Sequence, residues 1–457
     1  MPSRTDSRLR IAVLADSDTR WKWGALTARR LAEQVPGAGS AASRPAAPDL
    51  DGFLLRGRAT PTPRQLAEVG VAPDALREVT MAQFFDVAGE LGSGSAGGGA
   101  YDVIVLALVG GAAQAALHGL AARWLGHTRR PVIVTGYVGV VYEKLADGLL
   151  LRHGADVVLA NSRHDAERFR AVYEGVGADA SAVTEAALPF LGGAAYQEEP
   201  GRDTVVFAAQ PSVPESRADR HYLLRRLVDH ARRHPGREVV LKLRSKPGEH
   251  TTHIEEHPFQ KLAKGMELPP NFSLAYGNMG EILDRTDLLV TVSSTAALES
   301  LHRSVPTAVL TDLGVREALG NHHFLGSGCL ASWDRLDAGH RPAPDADWLA
   351  AQGVAPGAAY HRAFDQVRER MGELLAQDTL PPITPYYTAA TAPGYLPGVL
   401  ARHHLAPDGT PLPGAAPANE PTGLRRLIRD AVRDAARGAY RHGVQRVAPV
   451  IRRMGEL

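Results

Sequence analysis

Short apolar runs alternate with helix-forming stretches through the first 195 residues of the chain. Strand candidates lie at residues 10–15, 51–55, 101–108, 132–135 and 157–160, and helix candidates lie at 25–34, 63–69, 75–78 and 112–124. Runs that are apolar at nearly every position are typical of strands covered on both faces in a parallel sheet. The alternation predicts an α/β fold, with a Rossmann-like, doubly wound domain over residues 9–195.

A second series of the same kind begins after the polar residues 192–202. Strand candidates lie at residues 204–208, 238–243, 272–275, 287–292 and 307–310, and helix candidates lie at 221–233, 279–285, 296–303 and 358–377. The series predicts a second Rossmann-like domain over residues 203–377. Ligands gather beyond the carboxyl ends of parallel strands, so two such domains predict a binding cleft where those ends face each other.

The composition changes after the second domain. Residues 378–423 contain many Pro and Gly residues, which predicts an extended linker. Residues 424–453 predict a basic amphipathic helix. Its stretch from Leu424 to Val447 has Leu427, Ile428 and Val432 on one face and several arginines on the others. This helix suits an anionic membrane surface, or alternatively packs on the protein with its arginines in solvent.

Length, charge and cysteine content narrow the function classes. The chain has 457 residues, which favours two domains, and 51 Lys plus Arg against 50 Asp plus Glu, giving a net charge of +1. This balance argues against nucleic acid as a partner. The single cysteine, Cys329, excludes an internal disulfide framework. The apolar run near the start is too short for a signal peptide, and no segment reaches eighteen apolar residues, so a cytoplasmic protein is expected.

Three hydroxyl residues, Ser293, Ser294 and Thr295, stand between a predicted strand and a predicted helix. The first turn of a helix has unpaired N–H groups and the positive end of the helix dipole, which suits a phosphate. The alternative interpretation is an ordinary helix cap, a position that Ser and Thr favour.

Further polar residues follow other strands of the second domain. Gln210 and Pro211 follow its first strand, and Lys242, Arg244 and Lys246 surround the end of the next one. A departing nucleotide phosphate needs cations or N–H donors to balance its growing charge, so these residues predict a donor-binding site. Glu299 is a candidate ligand of a ribose. The alternative for the three cations is an ordinary solvated loop, and the alternative for Glu299 is an exposed helical glutamate with no role in binding.

These residues and their order resemble a known family. Residues 10 to about 375 look like an actinobacterial glycosyltransferase family with the GT-B fold, in which two Rossmann-like domains face across a cleft. The second domain is similar in layout to capsule-polymer transferases of the polysialyltransferase and CDP-glycerol glycerophosphotransferase types. The resemblance implies a donor site in the second domain and an acceptor site in the first.

The resemblance also implies roles for two motifs. In sialyltransferase-like groups a Ser/Thr motif and a His-Pro motif hold cytidine monophosphate. Ser293-Ser294-Thr295 matches the first motif, whereas Lys246-Pro247 stands at the position of the second. A literal His257-Pro258 lies beyond the strand end where that motif belongs. This departure puts the identity of the donor in question.

The base for such a transfer is expected in the first domain. Asp16 and Asp18 follow the first strand and are the candidate bases, and the loop with Gly136 and Tyr137 is expected on the acceptor side. Asp16-Ser17-Asp18 also spells the D-x-D of metal-dependent enzymes, but its place in a GT-B-like chain favours a metal-free role. No metal and no cofactor are expected.

The predicted function is therefore transfer of a sugar from a nucleotide-activated donor to a hydroxyl of a cell-surface glycan or a lipid-linked acceptor. The resemblance favours a CMP-nonulosonate donor and an inverting, metal-independent reaction at the inner face of the cell membrane. Two alternatives stay open. One is a sugar-nucleotide epimerase of the same fold, and the other is a non-catalytic GT-B scaffold for surface-polymer assembly.

Overall fold

The computed structural model describes residues 8–33, 48–57, 59–89, 101–127, 129–139, 144–246, 255–354 and 357–413. The predicted basic amphipathic helix of residues 424–453 lies outside these ranges. Pro247 of the Lys246-Pro247 pair lies outside them as well.

The first domain is built on a seven-stranded sheet with the order β3-β2-β1-β4-β5-β6-β7. Its strands are β1 (Arg10–Ala15), β2 (Asp49–Leu55), β3 (Ala75–Val79), β4 (Val103–Ala107), β5 (Val132–Gly136), β6 (Val157–Ala160) and β7 (Val183–Glu185). Its helices are α1 (Asp18–Ala32), α2 (Pro63–Val69), α3 (Met81–Ala88), α4 (Gly110–Arg123), α5 (Leu145–Leu150) and α6 (Arg163–Gly175). All neighbouring strands are parallel, and the central β4 and β5 are buried at every position because both faces carry helices.

The second domain repeats this architecture with a six-stranded parallel sheet in the order β10-β9-β8-β11-β12-β13. Its strands are β8 (Thr204–Ala208), β9 (Glu238–Lys242), β10 (Phe272–Ala275), β11 (Leu288–Thr291), β12 (Thr307–Leu310) and β13 (Leu330–Ala331). Its helices are α7 (Arg217–Arg233), α8 (Phe259–Ala263), α9 (Met279–Leu283), α10 (Ala296–His302), α11 (Trp333–Asp337) and α12 (Ala346–Ala351). The predicted fold class of two Rossmann-like domains across a cleft, the GT-B arrangement, is confirmed.

Two element predictions in the first domain are wrong. Helix α1 begins at Asp18 rather than near residue 25, because Ser17 caps it by accepting from the N–H of Arg20, and Trp21 and Trp23 are buried on it. Residues 75–79 form the edge strand β3, not a helix, since each of them pairs with a residue of β2, from Ala75 opposite Asp51 to Val79 opposite Leu55.

The chain returns to the first domain after the second sheet. Residues 358–377, predicted as one helix of the second domain, form α13 (Ala358–Arg362) and α14 (Asp365–Ala376). Helix α14 lies against β5, β7 and α1 of the first domain, and it places Val367 and Met371 in the core around that sheet. The predicted domain boundary at residue 377 therefore does not separate the two packing units.

The predicted linker of residues 378–423 is ordered over its described part, residues 378–413. It contains α15 (Leu396–Ala401), which packs on α4, and it buries Ile383, Leu396, Leu400 and Leu405 in the core on that side of the first sheet. Prolines and glycines suggested an extended segment, but the apolar residues between them give it enough surface to pack. Among the described residues, no helix is both long and apolar enough to cross a membrane.

Candidate active site

A cavity of about 550 Å³ lies between the carboxyl ends of the two sheets. Most of the residues singled out from the sequence line it, and they come from both domains. These residues are Asp18, Tyr137, Gln210, Pro211, Lys242, Arg244, Ser293, Ser294, Thr295 and Glu299. Asp16, Gly136 and Lys246 are not among the lining residues. The convergence follows from topology, because parallel strands bring the loops at their carboxyl ends to one edge of each sheet.

Hydrogen bonds between residues that line the cavity fix the turn between β11 and α10. The side-chain oxygen of Gln210 accepts from the N–H of Ser293 at 3.0 Å, and the amide nitrogen of Gln210 lies 3.2 Å from the Ser293 hydroxyl. That hydroxyl donates to the carbonyl of Leu319 at 2.6 Å. Gln210 and Ser293 thus position the turn.

The other two hydroxyls of this turn differ in their engagement. The Ser294 hydroxyl accepts from the N–H of Ala296 at 3.2 Å, as a helix cap does. The Thr295 hydroxyl caps nothing and has no hydrogen-bond partner among the residues that the structure describes. The cap interpretation therefore describes Ser294, while Thr295 presents a hydroxyl to the cavity.

A residue that the sequence analysis missed holds the neighbouring loop. The Arg220 side chain is 1% exposed, and its Nη1 donates to the carbonyls of Gln210, Pro211 and Pro214 at 3.1–3.2 Å. Its Nη2 pairs with Glu255, and burial raises the pKa of that carboxyl. On an arginine-rich amphipathic helix, the sequence gives no signal that distinguishes this arginine from solvated ones.

Replacing Arg220 with methionine is expected to destabilise the second domain. The change leaves Glu255 without its cation and three loop carbonyls without their donor, so we expect the free energy of unfolding to fall by about 3–5 kcal/mol. Urea denaturation measures the difference.

Arg225 provides the matched control on the same helix. Its side chain is exposed and, among the described residues, its guanidinium lies only over the Tyr222 ring, so Arg225→Met should change the unfolding free energy by less than about 0.5 kcal/mol. Equal losses in the two variants would mean that Arg220 contributes no more than a surface arginine.

Lys242 places a buried cation at the end of β9. It is 8% exposed, and its ammonium donates to the carbonyl of Leu243 at 2.8 Å. Among the described residues, no carboxylate lies within ion-pair distance of it. Burial lowers the pKa of Lys242 to about 8, against the opposing negative charges of Glu68 and Glu299, and the positive charges of Arg244 and Arg64 act in the same direction as burial. The cavity therefore holds a cation that lacks a directly bound anion.

The charge of Lys242 predicts the pH dependence of anion binding. Below its pKa of about 8 the ammonium is charged, and above it the neutral amine dominates. A bound phosphate stabilises the charged form, so affinity should be greatest below pH 8 and fall as the pH rises through it. We expect a nucleotide to bind up to about tenfold more weakly at pH 9 than at pH 7, as titration calorimetry can measure.

Lys242→Arg is the control for this titration. A guanidinium stays charged throughout this range, so the variant should lose most of the pH dependence. A wild-type affinity that is constant from pH 7 to pH 9 would show that Lys242 does not govern anion binding.

Within the described ranges, two ion pairs cross the cleft. Nη2 of Arg244 lies 2.8 and 2.9 Å from the two carboxylate oxygens of Asp18, and Nζ of Lys22 lies 3.3 Å from Oε2 of Glu299. The Glu299 side chain is only 11% exposed, so it is not a solvated helical residue. The contact of Glu299 with a ribose stays a prediction.

Asp16 and Asp18 hold separate partners although they are two residues apart. Asp16 accepts from Nη1 of Arg20 at 3.0 Å and from the N–H of Val109 at 2.9 Å, which turns it away from the cavity. Asp18 faces Arg244. The two carboxylates of the D-x-D sequence therefore do not converge on one point, and Asp18 alone lines the cavity.

The acceptor-side loop is fixed by residues that the sequence analysis did not identify. The side-chain amide of Asn161 donates to the carbonyls of Tyr137 and Gly139 at 2.8 and 2.9 Å. A Cβ on Gly136 would lie 2.8 Å from the Trp23 ring, so glycine permits close packing there. A Cβ on Gly139 would lie 3.3 Å from the hydroxyl of Thr295. The first-domain loop thus reaches the turn of the second domain.

Lys246 occupies a different environment from Lys242. It is exposed, and its ammonium lies 6.0 Å from the centre of the Tyr276 ring. Because residues 247–254 lie outside the described ranges, the match of Lys246-Pro247 to a His-Pro motif stays a prediction.

One cluster of metal-ligand side chains, formed by His230, His234 and Asp337, occurs among the described residues. It does not line the cavity, and Asp337 is already paired with Arg226 and Arg233.

The sequence matches the model of the family described as "Putative glycosyltransferase (DUF6716)" over residues 11–374. No protein of curated function matches the sequence. Similar solved structures include S. aureus MnaA with UDP, at 10% identity and a TM-score of 0.49, covering 82% of this chain and 100% of that one.

Two further solved structures show the range of these similarities. UDP-GlcNAc 2-epimerase from Neisseria meningitidis, bound to UDP-GlcNAc, has 8% identity and a TM-score of 0.46, with 80% of this chain and 100% of that one covered. The glycosyltransferase SnogD from Streptomyces nogalater has 15% identity and a TM-score of 0.34, with 82% and 97% covered.

Proposed function

This chain belongs to the DUF6716 family of putative glycosyltransferases, and we propose that it transfers a sugar from a nucleotide-activated donor to a hydroxyl of an acceptor. The observation that carries the proposal is Lys242, a buried ammonium at the cavity whose hydrogen bond goes to a carbonyl rather than to a carboxylate. A buried charge is costly unless a partner compensates it, and a donor phosphate supplies that partner.

The donor phosphate fits the second-domain side of the cavity. Lys242 offers charge there, Thr295 offers a hydroxyl, and Arg244 offers a guanidinium that binds phosphate well. As the bond between the anomeric carbon and the phosphate oxygen breaks, its electron pair stays on the phosphate. Cations placed at that oxygen stabilise the developing charge and so lower the barrier.

The acceptor fits the opposite side, between Asp18 and the loop of Tyr137 and Gly139. Its hydroxyl oxygen forms the new bond to the anomeric carbon, and its proton passes to the Asp18 carboxylate acting as general base. Attack from the face opposite the leaving phosphate inverts the anomeric configuration. The reaction balances with nucleotide, glycoside and one proton as products, and it needs no metal.

The finer features of the proposal come from the family resemblance. We propose a CMP-nonulosonate as the donor and a hydroxyl of a cell-surface glycan or a lipid-linked glycan as the acceptor. We also propose that residues 424–447 hold the protein at the anionic inner face of the cell membrane. Removal of residues 421–457 should then weaken binding to anionic liposomes, and unchanged binding would exclude this role.

A donor panel tests the proposal. The purified protein is incubated with CMP-, CDP-, UDP- and GDP-sugars, with and without a cell-wall glycan, and released nucleotide is measured. Acceptor-dependent release supports a transferase. Isomerisation of the donor without an acceptor would instead identify an epimerase. If no donor reacts and none binds in a thermal-shift screen with the free nucleotides, a non-catalytic scaffold becomes the better interpretation.

A further inference from the structure

Arg244 connects the two domains through one nitrogen of its guanidinium. Nη2 binds both carboxylate oxygens of Asp18 at 2.8 and 2.9 Å, and it also donates to the Thr19 hydroxyl. Asp18 and Thr19 begin α1 in the first domain, whereas Arg244 follows β9 in the second. The two charged side chains are 34% and 18% exposed and line the same cavity, so a ligand there can reach both.

Among the described residues, the other two nitrogens of this guanidinium have no hydrogen-bond partner. Nε of Arg244 is buried and has no hydrogen-bond partner within the described part of the chain. An arginine carries five N–H donors in a planar fork that matches phosphate oxygens. Lys242, two residues earlier, brings a second cation to the same cavity. A phosphate bound beside Lys242 therefore offers Arg244 a partner that competes with Asp18.

We propose that Arg244 is shared between Asp18 and the donor phosphate, so that donor binding withdraws the guanidinium from Asp18 and leaves the carboxylate to accept the acceptor proton. The inference rests on the proposed function, because it needs a phosphate-bearing donor in the cavity. While Arg244 donates to both oxygens of Asp18, the guanidinium holds the carboxylate in place and leaves fewer of its lone pairs open to the proton of an acceptor hydroxyl. The donor then binds first, and the base is released only when a donor is present.

Linkage makes this sharing measurable without catalysis. If Asp18 and the phosphate compete for Arg244, removing the Asp18 charge must tighten nucleotide binding. We expect the nucleotide that binds best among CMP, CDP, UDP and GDP to bind about three- to tenfold more tightly to Asp18→Asn than to the wild type, as titration calorimetry measures. Thr19→Val, which removes another acceptor of the same nitrogen, should shift the affinity in the same direction.

Two controls separate sharing from a general change in charge. In the Arg244→Gln background, Asp18→Asn should no longer tighten binding, because there is no guanidinium to release. Asp16→Asn removes a different carboxylate, which accepts from Arg20 and from the N–H of Val109 and lies two residues before Asp18, and it should change the affinity less than about twofold. Circular dichroism verifies that each variant is folded.

The outcomes distinguish the inference from the proposed function. If Asp18→Asn tightens nucleotide binding equally with Arg244 and with Gln at position 244, or if Asp16→Asn tightens it as much, the effect comes from the overall negative charge. Either result would overturn the sharing of Arg244. Unchanged or weaker binding by Asp18→Asn and Thr19→Val would overturn it as well. If the wild type binds none of the four nucleotides, the proposed function itself fails, and the inference with it.

Discussion

Lys242→Met is expected to lower kcat/KM for the donor by about 10²–10³-fold, the loss seen when one group that stabilises a developing anion is removed. Methionine keeps much of the length and apolar character of the buried lysine stem, so the fold should persist. It removes the charge that lies at the cavity without a carboxylate partner among the described residues. Initial rates of nucleotide release over a range of donor concentrations give kcat and KM separately.

Lys246 offers the matched control for this variant. It lies four residues further along the chain, carries the same side chain and is exposed outside the cavity lining. Lys246→Met should therefore change kcat/KM by less than about threefold. Similar losses in the two variants would instead place Lys246 in the donor site, as the Lys246-Pro247 motif predicts. A normal kcat/KM in Lys242→Met would remove the main support for phosphate binding at β9.

The second sheet illustrates what the sequence could predict. Residues 204–208, 272–275 and 307–310 were predicted as strands, and the structure has strands at these same residues. These runs are short, mostly apolar and bounded by polar residues or prolines, so local sequence is sufficient to define them. The prediction for edge strand β3 was wrong because Ala75–Val79 lacks a continuous apolar run. Only Val79 in this strand is buried, and the other four residues are partly or fully exposed.

Most of the residues that line the cavity were also predictable from the sequence, whereas the contacts that these residues make with one another were not. Lys242 ends a strand, Arg244 and Ser293–Thr295 follow strand ends, and a parallel sheet brings such positions to one edge. The contact of Arg244 with Asp18 joins residues 226 positions apart, and it depends on how the two domains face each other. No local pattern contains that orientation, and the same applies to the three loop carbonyls that Arg220 holds.

The C-terminal segment shows a limit of composition as a guide. Its prolines and glycines lower the propensity for regular structure. In agreement with this, α15 is the one helix described between residues 378 and 413. They do not prevent packing, because Ile383 and Leu405 still bury their side chains on the first domain. A high content of Pro and Gly residues therefore predicts little regular structure, but it does not predict that the segment lacks tertiary contacts.

Asp18→Asn is expected to lower kcat by about 10²–10⁴-fold, the contribution of a positioned general base. Asparagine has nearly the same shape but cannot accept a proton, so the acceptor hydroxyl must attack without being deprotonated. The KM for the donor should not rise, since Asp18 belongs to the acceptor side of the cavity and opposes the donor phosphate at Arg244. Single-turnover measurements with saturating donor and acceptor isolate this chemical step.

Asp16→Asn separates the base from its neighbour. Because Asp16 is bound to Arg20 and to the N–H of Val109, its loss should affect stability more than chemistry, with kcat reduced by less than about tenfold. Asp18→Glu should recover part of the activity, since it restores a carboxylate displaced by one methylene. If Asp18→Asn keeps most of the wild-type kcat while Asp16→Asn loses it, the proton goes to Asp16. The contact between Arg244 and Asp18 would then hold the domains together without a part in the chemical step.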